Sequence, residues 1–232
     1  ARAFNALVRE AAAFCVAGAG GRRLRVLEVG GGTAATTSHV LPALPDDRVE
    51  YVFSDLSPAF TRRAEERFGG RRGFQARPLD VERDPEAQGF EPGGFDLVIA
   101  SNVVHATASL ARSLGNLRRL LRPGGLLLLL EMTVPQAWID ITFGLTDGWW
   151  LFEDTDFRTG GPLASVDAWR RVLADAGFGQ AAAVAGDGAQ GILGIQSLLM
   201  ATAVSPAPEA GAAAPWLILA DDDGIGRAAA NL

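Results

Sequence analysis

The feature that most constrains this chain is a glycine turn between an apolar strand and a helix. Residues 27–35 read Leu-Glu-Val-Gly-Gly-Gly-Thr-Ala-Ala, so that Glu28 comes just before Gly30, Gly31 and Gly32. A backbone without side chains can pack closely against a bound nucleoside, and an acid ahead of the turn can hold the polar end of such a ligand. The turn therefore predicts a nucleoside site in an α/β fold.

The segments around this turn alternate between strands and helices. Helices are predicted over residues 2–17, 33–44, 58–68, 108–121 and 165–176, and strands over 24–29, 49–54, 73–79, 95–100, 126–131, 181–185 and 195–203. Short connections between such elements imply a parallel sheet, in which ligands bind at the carboxyl ends of the strands. The residues at or just beyond those ends are Glu28, Asp55, Asp80, Asn102, His105 and Glu131. We therefore expect these side chains to surround one site.

The composition argues against several other classes of protein. The chain has 232 residues, enough for one sizeable α/β domain, and its net charge of −6 argues against a non-specific nucleic-acid binder. The single cysteine, Cys15, can form neither an internal disulfide nor a cysteine-based zinc cluster. The longest apolar run, residues 11–17, is far shorter than the ~20 residues of a membrane helix. No signal peptide is recognisable, so we expect no membrane association and a cytoplasmic protein.

The glycine turn fits two templates. As Gly-x-Gly-x-x-Ala followed by Asp55, it matches a dinucleotide fold with a pyrophosphate on the helix N-terminus. As Glu-x-Gly-x-Gly-x-Ala, it matches the turn of class I S-adenosylmethionine-dependent methyltransferases. Glu28 would repel a pyrophosphate but would support the amino group of S-adenosylmethionine. The charge therefore favours the methyl donor over a nicotinamide cofactor.

Further segments resemble the C-methyltransferase domains of modular polyketide synthases. These segments are residues 53–57, 79–82, 88–90, 95–107, 119–131 and 148–150. The resemblance covers roughly residues 1–203 and implies a class I methyltransferase Rossmann-like fold, with a mostly parallel seven-stranded sheet flanked by helices. Residues 204–214 are expected to form a Pro/Ala-rich linker. Residues 215–232 resemble the truncated start of a ketoreductase-like unit.

Two features of the chain depart from that family. The chain starts without Met and ends abruptly, which favours a piece of a larger polypeptide. Most of the family's N-terminal helical lid is expected to be absent from this piece. Ala34 and Ala35 stand where the family carries glycines. Their methyl groups are either tolerated on the helix side or crowd the cofactor, and the sequence leaves both possibilities open.

The resemblance implies methyl transfer from S-adenosylmethionine to the α-carbon of a β-ketoacyl thioester on an acyl carrier protein. A C–H group between a ketone and a thioester is acidic enough for imidazole, which exchanges protons near neutral pH, to remove. His105 is therefore the candidate base. Glu131 is expected to orient its ring, as a carboxylate orients the histidine of hydrolytic triads. The carrier protein and neighbouring domains of the same synthase are the expected partners.

The remaining predicted site residues concern the cofactor. Asp55 is expected to bind the ribose hydroxyls, and Leu56 to pack on the adenine. Asp80 and the Val81 amide are expected to read the adenine edge, and Asn102 to face the methionine end. Each has a structural alternative as a capping or turn residue, and no metal ligand is predicted.

Three other functions stay open at this point. A His–Glu pair deprotonates an alcohol equally well, so O-methylation of a β-hydroxyl is the second hypothesis. A catalytically degenerate domain that kept the fold but lost the cofactor is the third, and Ala34 and Ala35 motivate it. A nicotinamide-dependent reductase is the fourth.

Overall fold

The computed structural model describes residues 2–184 and 194–204. The strands within this part are β1 Leu24–Val29, β2 Val49–Asp55, β3 Phe74–Pro78, β4 Phe95–Ser101, β5 Leu121–Met132, β6 Ala182–Val184 and β7 Gln196–Thr202. The α-helices are α1 Arg2–Gly18, α2 Thr37–Val40, α3 Pro58–Phe68, α4 Leu110–Leu120, α5 Ala137–Thr142 and α6 Val166–Asp175. Short 3-10 helices lie at Leu41–Ala43, Glu86–Gln88, Val104–Ala106, Phe143–Leu145 and Asp147–Trp150.

The strands form one sheet in the order β3-β2-β1-β4-β5-β7-β6. The first five strands pair in parallel, with Glu28 beside Phe53 and Val29 beside Ala100. β7 runs antiparallel to both β5 and β6. The expected mostly parallel, seven-stranded sheet is therefore confirmed. Parallel pairing places the carboxyl ends of β1 to β5 on a single edge, which is where the candidate site lies.

Each face of the sheet is covered by helices that bury one apolar stripe. On one face, Val8 of α1 and Ala64 of α3 pack in a cluster with side chains of β1, β2 and β5. On the other face, Leu114 of α4 and Trp169 of α6 pack in a second cluster with the opposite side chains of the same sheet. Full burial of one such large apolar side chain contributes about 1.5–3 kcal/mol, so these two layers hold the strand ends in place.

The helix after the glycine turn is shorter than predicted. Residues 33–44 were expected to be helical, but α2 begins only at Thr37. Gly32 and Ala34 have positive φ angles of 52° and 61°, which interrupt a right-handed helix. The turn therefore continues for several residues beyond the glycines before the helix begins.

Other boundaries differ from the predictions at the ends of the chain's later elements. β5 begins at Leu121, before the predicted 126, because Leu121 already pairs with Phe95 ahead of a shift in register. The predicted linker and ketoreductase-like start fall on residues 204–232, of which the structure describes only Val204. Within the described part of the chain, no helix combines the length and the apolar character required to cross a bilayer.

Candidate active site

A cavity of about 260 Å³ lies at the carboxyl edge of the sheet, beside the glycine turn. Five of the predicted site residues border it, namely Glu28, Gly30, Gly31, Gly32 and Asn102. The rest of its wall consists of small, polar or apolar side chains, and the wall contains one acid and no basic residue. This charge suits a ligand that carries a cation better than one that carries phosphate.

A side chain would meet different surroundings at each of the three glycines of the turn. A side chain at Gly30 would collide with Val103, and one at Gly31 would collide with the ring of Phe53. Both of these glycines are therefore required by the packing of the protein itself, which the sequence argument did not foresee. Gly32 differs, because the nearest atom to a side chain there would be the Gly30 carbonyl oxygen at 3.9 Å. Gly32 is thus the glycine that leaves open space beside the cavity.

Glu28 borders the cavity from a buried position, with only 1% of its surface exposed. Its Oε2 accepts hydrogen bonds from Thr37 Oγ1 at 2.6 Å and from Tyr51 Oη at 2.7 Å. Burial raises the pKa of Glu28 to about 7, although both hydrogen bonds lower it. The sequence analysis missed these two partners. The available signal was Tyr51 itself, the chain's single tyrosine, which lies among apolar residues of a predicted buried strand, since a buried phenol normally requires a hydrogen-bond partner.

Asp55 lies at the end of β2 and connects the glycine turn to the start of α3. Its Oδ2 accepts the N–H of Gly32 at 2.9 Å, and its Oδ1 accepts the N–H of Ser57 at 2.8 Å. Leu56, the next residue, is 68% exposed. Neither Asp55 nor Leu56 is part of the cavity wall, so both lie beside the cavity rather than in it.

Neither Asp80 nor Val81 is part of the cavity wall. The Asp80 carboxylate accepts the N–H of Glu82 at 3.0 Å and lies 3.1 Å from Arg83 Nε. Its backbone N–H and carbonyl both bond to the side chain of Gln88, at 2.8 and 2.9 Å. Val81 is buried in the core. The structure therefore shows a rigid turn at this strand end, in which Asp80 already has protein partners.

Ser101, the last residue of β4, and Asn102, which follows it, form one part of the cavity wall. Asn102 has a positive φ of 52°, a conformation that asparagine tolerates, and its N–H donates to the carbonyl of Leu130 at 2.7 Å. The Oγ of Ser101 is buried, and no described residue forms a hydrogen bond with it. Ser101 was not among the predicted residues. A polar ligand in the cavity would provide the partner that this hydroxyl lacks.

His105 and Glu131 are in direct contact, as predicted. His105 lies in the 3-10 helix after β4 and is 8% exposed, and Glu131 lies in β5 and is fully buried. His105 Nδ1 lies 2.6 Å from Glu131 Oε2. The other oxygen, Oε1, accepts the N–H groups of Val104 at 2.9 Å and Val103 at 3.2 Å. One carboxylate thus holds both the ring and the backbone of the turn that carries it.

The contact defines which ring nitrogen of His105 is available for chemistry. An ionised carboxylate only accepts hydrogen bonds, so Nδ1 carries the proton and Nε2 carries the lone pair in the neutral ring. Nε2 has no hydrogen-bond partner in the described part of the chain. Trp149 packs edge-on against the imidazole, with ring centroids 5.8 Å apart, and its Nε1 donates to Asp140 at 3.1 Å. The pair is therefore arranged as an oriented base beside an aromatic wall.

Comparisons with known proteins agree with this fold. Residues 27–127 match the family model described as a methyltransferase domain. The strand order 3-2-1-4-5-7-6, with its antiparallel β7, is that of class I methyltransferases. The fold and the site together define a class I, S-adenosylmethionine-dependent methyltransferase domain.

Three similar proteins indicate which kind of methyltransferase this domain resembles. The polyketide synthase ThaQ of Burkholderia thailandensis is 44% identical over 184 residues, which are 75% of this chain and 9% of ThaQ. The CurJ carbon methyltransferase superposes with a TM-score of 0.82 at 39% identity, over 87% of this chain and 54% of that one. The trans-methyltransferase CalH, solved in complex with S-adenosylhomocysteine, gives a TM-score of 0.75 at 37% identity, over 84% and 55%.

The chain carries a methyltransferase domain that is closely related to the C-methyltransferase domains of polyketide synthases. The resemblance found in the sequence is thereby confirmed. The chain spans 9% of ThaQ and about half of each of the two solved proteins.

Proposed function

We propose that this domain transfers a methyl group from S-adenosylmethionine to the α-carbon of a β-ketoacyl thioester carried on an acyl carrier protein. The observation that carries the proposal is the His105–Glu131 pair, which lies on the same sheet edge as the cavity beside the glycine turn. The similarity to a carbon methyltransferase supports carbon as the acceptor atom. The complex of CalH with S-adenosylhomocysteine supports the donor.

The residues around the cavity fit this cofactor. Glu28 is the acid of a wall that has no basic side chain, so it suits the ammonium of a methionine moiety and disfavours a pyrophosphate. Ser101 offers a hydroxyl that has no described partner, and Gly32 leaves open space. Asn102 would face the methionine end, Asp55 the ribose hydroxyls. When bound, S-adenosylmethionine supplies a methyl group that its sulfonium makes electrophilic.

The adenine end would lie outside the cavity proper. The exposed side chain of Leu56 offers an apolar surface for one face of the base. Asp80 and the N–H of Val81 would read its edge. Because the Asp80 carboxylate already has two protein partners, we propose that it contributes a single further hydrogen bond there.

His105 would act as the base. Its Nε2 lone pair takes the proton from the α-carbon, and the electron pair of the broken C–H bond is delocalised over the ketone and the thioester carbonyl. The α-carbon would then be the nucleophile toward the methyl group, whose bond to sulfur breaks with the electron pair left on sulfur, so that S-adenosylhomocysteine is the leaving group. Glu131 keeps the ring in the Nδ1–H form before the step and stabilises the imidazolium afterwards, through the contact of 2.6 Å.

The chemistry of this pair also permits O-methylation, so the test compares acceptors. The wild-type domain and His105→Ala would each be incubated with S-adenosylmethionine and with β-ketoacyl or β-hydroxyacyl carrier protein, and the carrier would be weighed intact. We expect a gain of one methylene mass on the β-ketoacyl carrier with the wild-type domain only. A gain on the hydroxyacyl carrier alone would replace the proposal by O-methylation.

A degenerate domain is tested separately by titrating S-adenosylhomocysteine into the folded protein in a calorimeter. Binding is the expected result, and its absence in a folded sample would support a purely structural domain.

We further propose that residues 1–203 form the methyltransferase unit of a larger cytoplasmic synthase, followed by a linker at 204–214 and a ketoreductase-like unit from 215. The length of ThaQ relative to this chain supports that context.

A further inference from the structure

Arg158 is a charged side chain that the structure buries almost completely, with 1% of its surface exposed. It lies in the loop before α6 and donates to three backbone carbonyls about 50 residues earlier in the chain. Its Nη1 donates to His105 O at 2.9 Å and to Thr107 O at 3.0 Å, and its Nη2 donates to Ala108 O at 2.8 Å. All three acceptors belong to the segment between β4 and α4 that carries the candidate base.

Asp154 completes this clamp from the same loop. Its Oδ1 pairs with the Arg158 guanidinium, and its Oδ2 accepts the N–H of Leu110, the first residue of α4, at 2.7 Å. The N–H of Glu153 adds a bond to the carbonyl of Ala108 at 2.8 Å. Residues 153–158 therefore bind the whole stretch from His105 to the start of α4.

The backbone around His105 is consequently held both before and after the histidine in the chain. Glu131 accepts the N–H groups of Val103 and Val104, which precede the histidine. Arg158 donates to the carbonyl of His105 itself and to those that follow it. Because its N–H groups before the histidine and its carbonyls from the histidine onward are all bonded, this turn has little freedom to shift the imidazole.

Burying this guanidinium costs free energy, and an apolar side chain could fill the same space without that cost. Burial lowers the pKa of Arg158 from its usual value, and the Asp154 carboxylate opposes that effect. Replacing a buried ion pair by apolar residues of similar volume is often neutral or stabilising. A planar guanidinium is, however, the side chain that can reach several carbonyls at once in a fixed geometry.

We propose that Arg158, held by Asp154, is a positioning residue that keeps the His105 imidazole in its Glu131-bound orientation. This inference rests on the proposed function of His105 as the base. Arg158 touches neither of the reacting groups in the proposed reaction. It acts through the backbone of the turn on which His105 lies.

The variants are chosen to separate positioning from folding. Arg158→Met removes the donors at similar length, while Arg158→Lys keeps the charge but cannot reach three carbonyls in one geometry. Arg170→Met is the matched control, because Arg170 pairs with Asp167 at 3.2 Å on the exposed surface of α6. If Arg158→Met does not fold, Arg158→Lys carries the test.

The first readout is the imidazole nitrogen spectrum of ¹⁵N-labelled protein. The chain has two histidines, so His39 serves as the internal reference for His105. We expect the wild type and Arg170→Met to show His105 with its proton on Nδ1. Arg158→Met and Arg158→Lys should show a mixture of tautomers, while the signals of His39 stay unchanged.

The second readout is methyl transfer to a β-ketoacyl carrier protein. Misplacement of a catalytic group costs about tenfold or more, so we expect kcat to fall by that factor in both Arg158 variants, with KM and the affinity for S-adenosylhomocysteine nearly unchanged. A folded Arg158 variant with wild-type kcat and an unaltered His105 spectrum would overturn the inference. If the wild type itself transfers no methyl group, the proposed function fails instead, and the spectrum still decides whether Arg158 orients His105.

Discussion

His105 Nδ1 lies 2.6 Å from Oε2 of Glu131, a carboxylate with no exposed surface whose other oxygen accepts the backbone N–H groups just before the histidine. A buried carboxylate with this many donors is well compensated, so it holds the ring in one orientation. The same contact lowers the free energy of the imidazolium that forms when Nε2 takes up a proton. Two functions, orientation and stabilisation, thus meet in one carboxylate.

Glu131→Gln should remove both effects on the ring while leaving the backbone contacts of the turn. Glutamine has the same length, and its carbonyl oxygen can still accept the N–H groups of Val103 and Val104, but its NH₂ group then faces His105 Nδ1, so it neither holds the Nδ1–H form nor stabilises an imidazolium by charge. We expect the rate of methyl transfer to fall by about 10²–10⁴-fold, as for loss of a general base. Affinity for S-adenosylhomocysteine, measured by calorimetry, should stay within about threefold. A variant with the wild-type rate would show that Glu131 has a purely structural role.

Glu28 should make stability depend on pH in an unusual direction. Burial raises its pKa from the usual 4.5 to about 7, so between these values the folded state binds more protons than the unfolded state. The contribution of Glu28 to the free energy of unfolding therefore falls as the pH rises through this window, by about 3 kcal/mol in all. Glu28→Gln keeps an acceptor for Thr37 and Tyr51 but cannot titrate.

The check is denaturant unfolding of the wild type and Glu28→Gln at several values between pH 4 and 8. The difference in stability between the two proteins should shift in favour of the variant as the pH rises. Parallel curves across this range would contradict the raised pKa of Glu28.

Asp55 should matter for both the fold and the cofactor. Its two oxygens accept the N–H groups of Gly32 and Ser57, and Asp55→Ala leaves both without a partner. We expect a loss of about 1–3 kcal/mol in stability and a fall of about tenfold or more in affinity for S-adenosylhomocysteine. Asp84→Ala is the control, since Asp84 is half exposed and pairs with Arg119 at the surface. Unchanged affinity in folded Asp55→Ala would remove Asp55 from the cofactor site.

Much of this arrangement can be predicted from patterns in the sequence. Apolar runs that end in an acid predict buried parallel strands, because each strand end then lies at the ligand edge of the sheet. This argument placed His105 just beyond the end of one strand and Glu131 at the end of the neighbouring one, and the structure brings them into contact. The segment around Asp80 shows its limit, because a turn can also engage an acid with its own neighbours.

Other features required the three-dimensional structure. The role of Arg158 depends on backbone carbonyls about 50 residues away, and carbonyls carry no signature in a sequence. The late start of α2 depends on the positive φ of Ala34, a conformation that alanine rarely adopts and that residue type alone does not predict. The packing of Trp149 against His105 likewise joins two segments whose spacing has no regular period.

The position of Ala34 bears on whether an alanine in the glycine turn crowds the cofactor. Ala34 is buried among apolar residues on the α1 face of the sheet and does not border the cavity, whereas Ala35 does. In Ala34→Gly, relief of about 1–2 kcal/mol of backbone strain opposes the loss of a buried methyl group and of chain stiffness, about 1–2 kcal/mol together. We expect nearly unchanged stability and affinity for S-adenosylhomocysteine. A marked gain in affinity, greater than that of Ala35→Gly, would mean that the Ala34 methyl crowds the ligand.

The central claim is that His105 removes a proton from the α-carbon, and hydrogen exchange at that carbon tests it most directly. A β-ketoacyl thioester would be incubated in D₂O with the protein and S-adenosylhomocysteine, so that no methyl transfer can follow, and α-deuteration would be timed by mass spectrometry. We predict exchange well above the rate in buffer with the wild-type domain, and the buffer rate with His105→Ala. Wild-type exchange at the buffer rate, or full exchange by His105→Ala, would contradict the account.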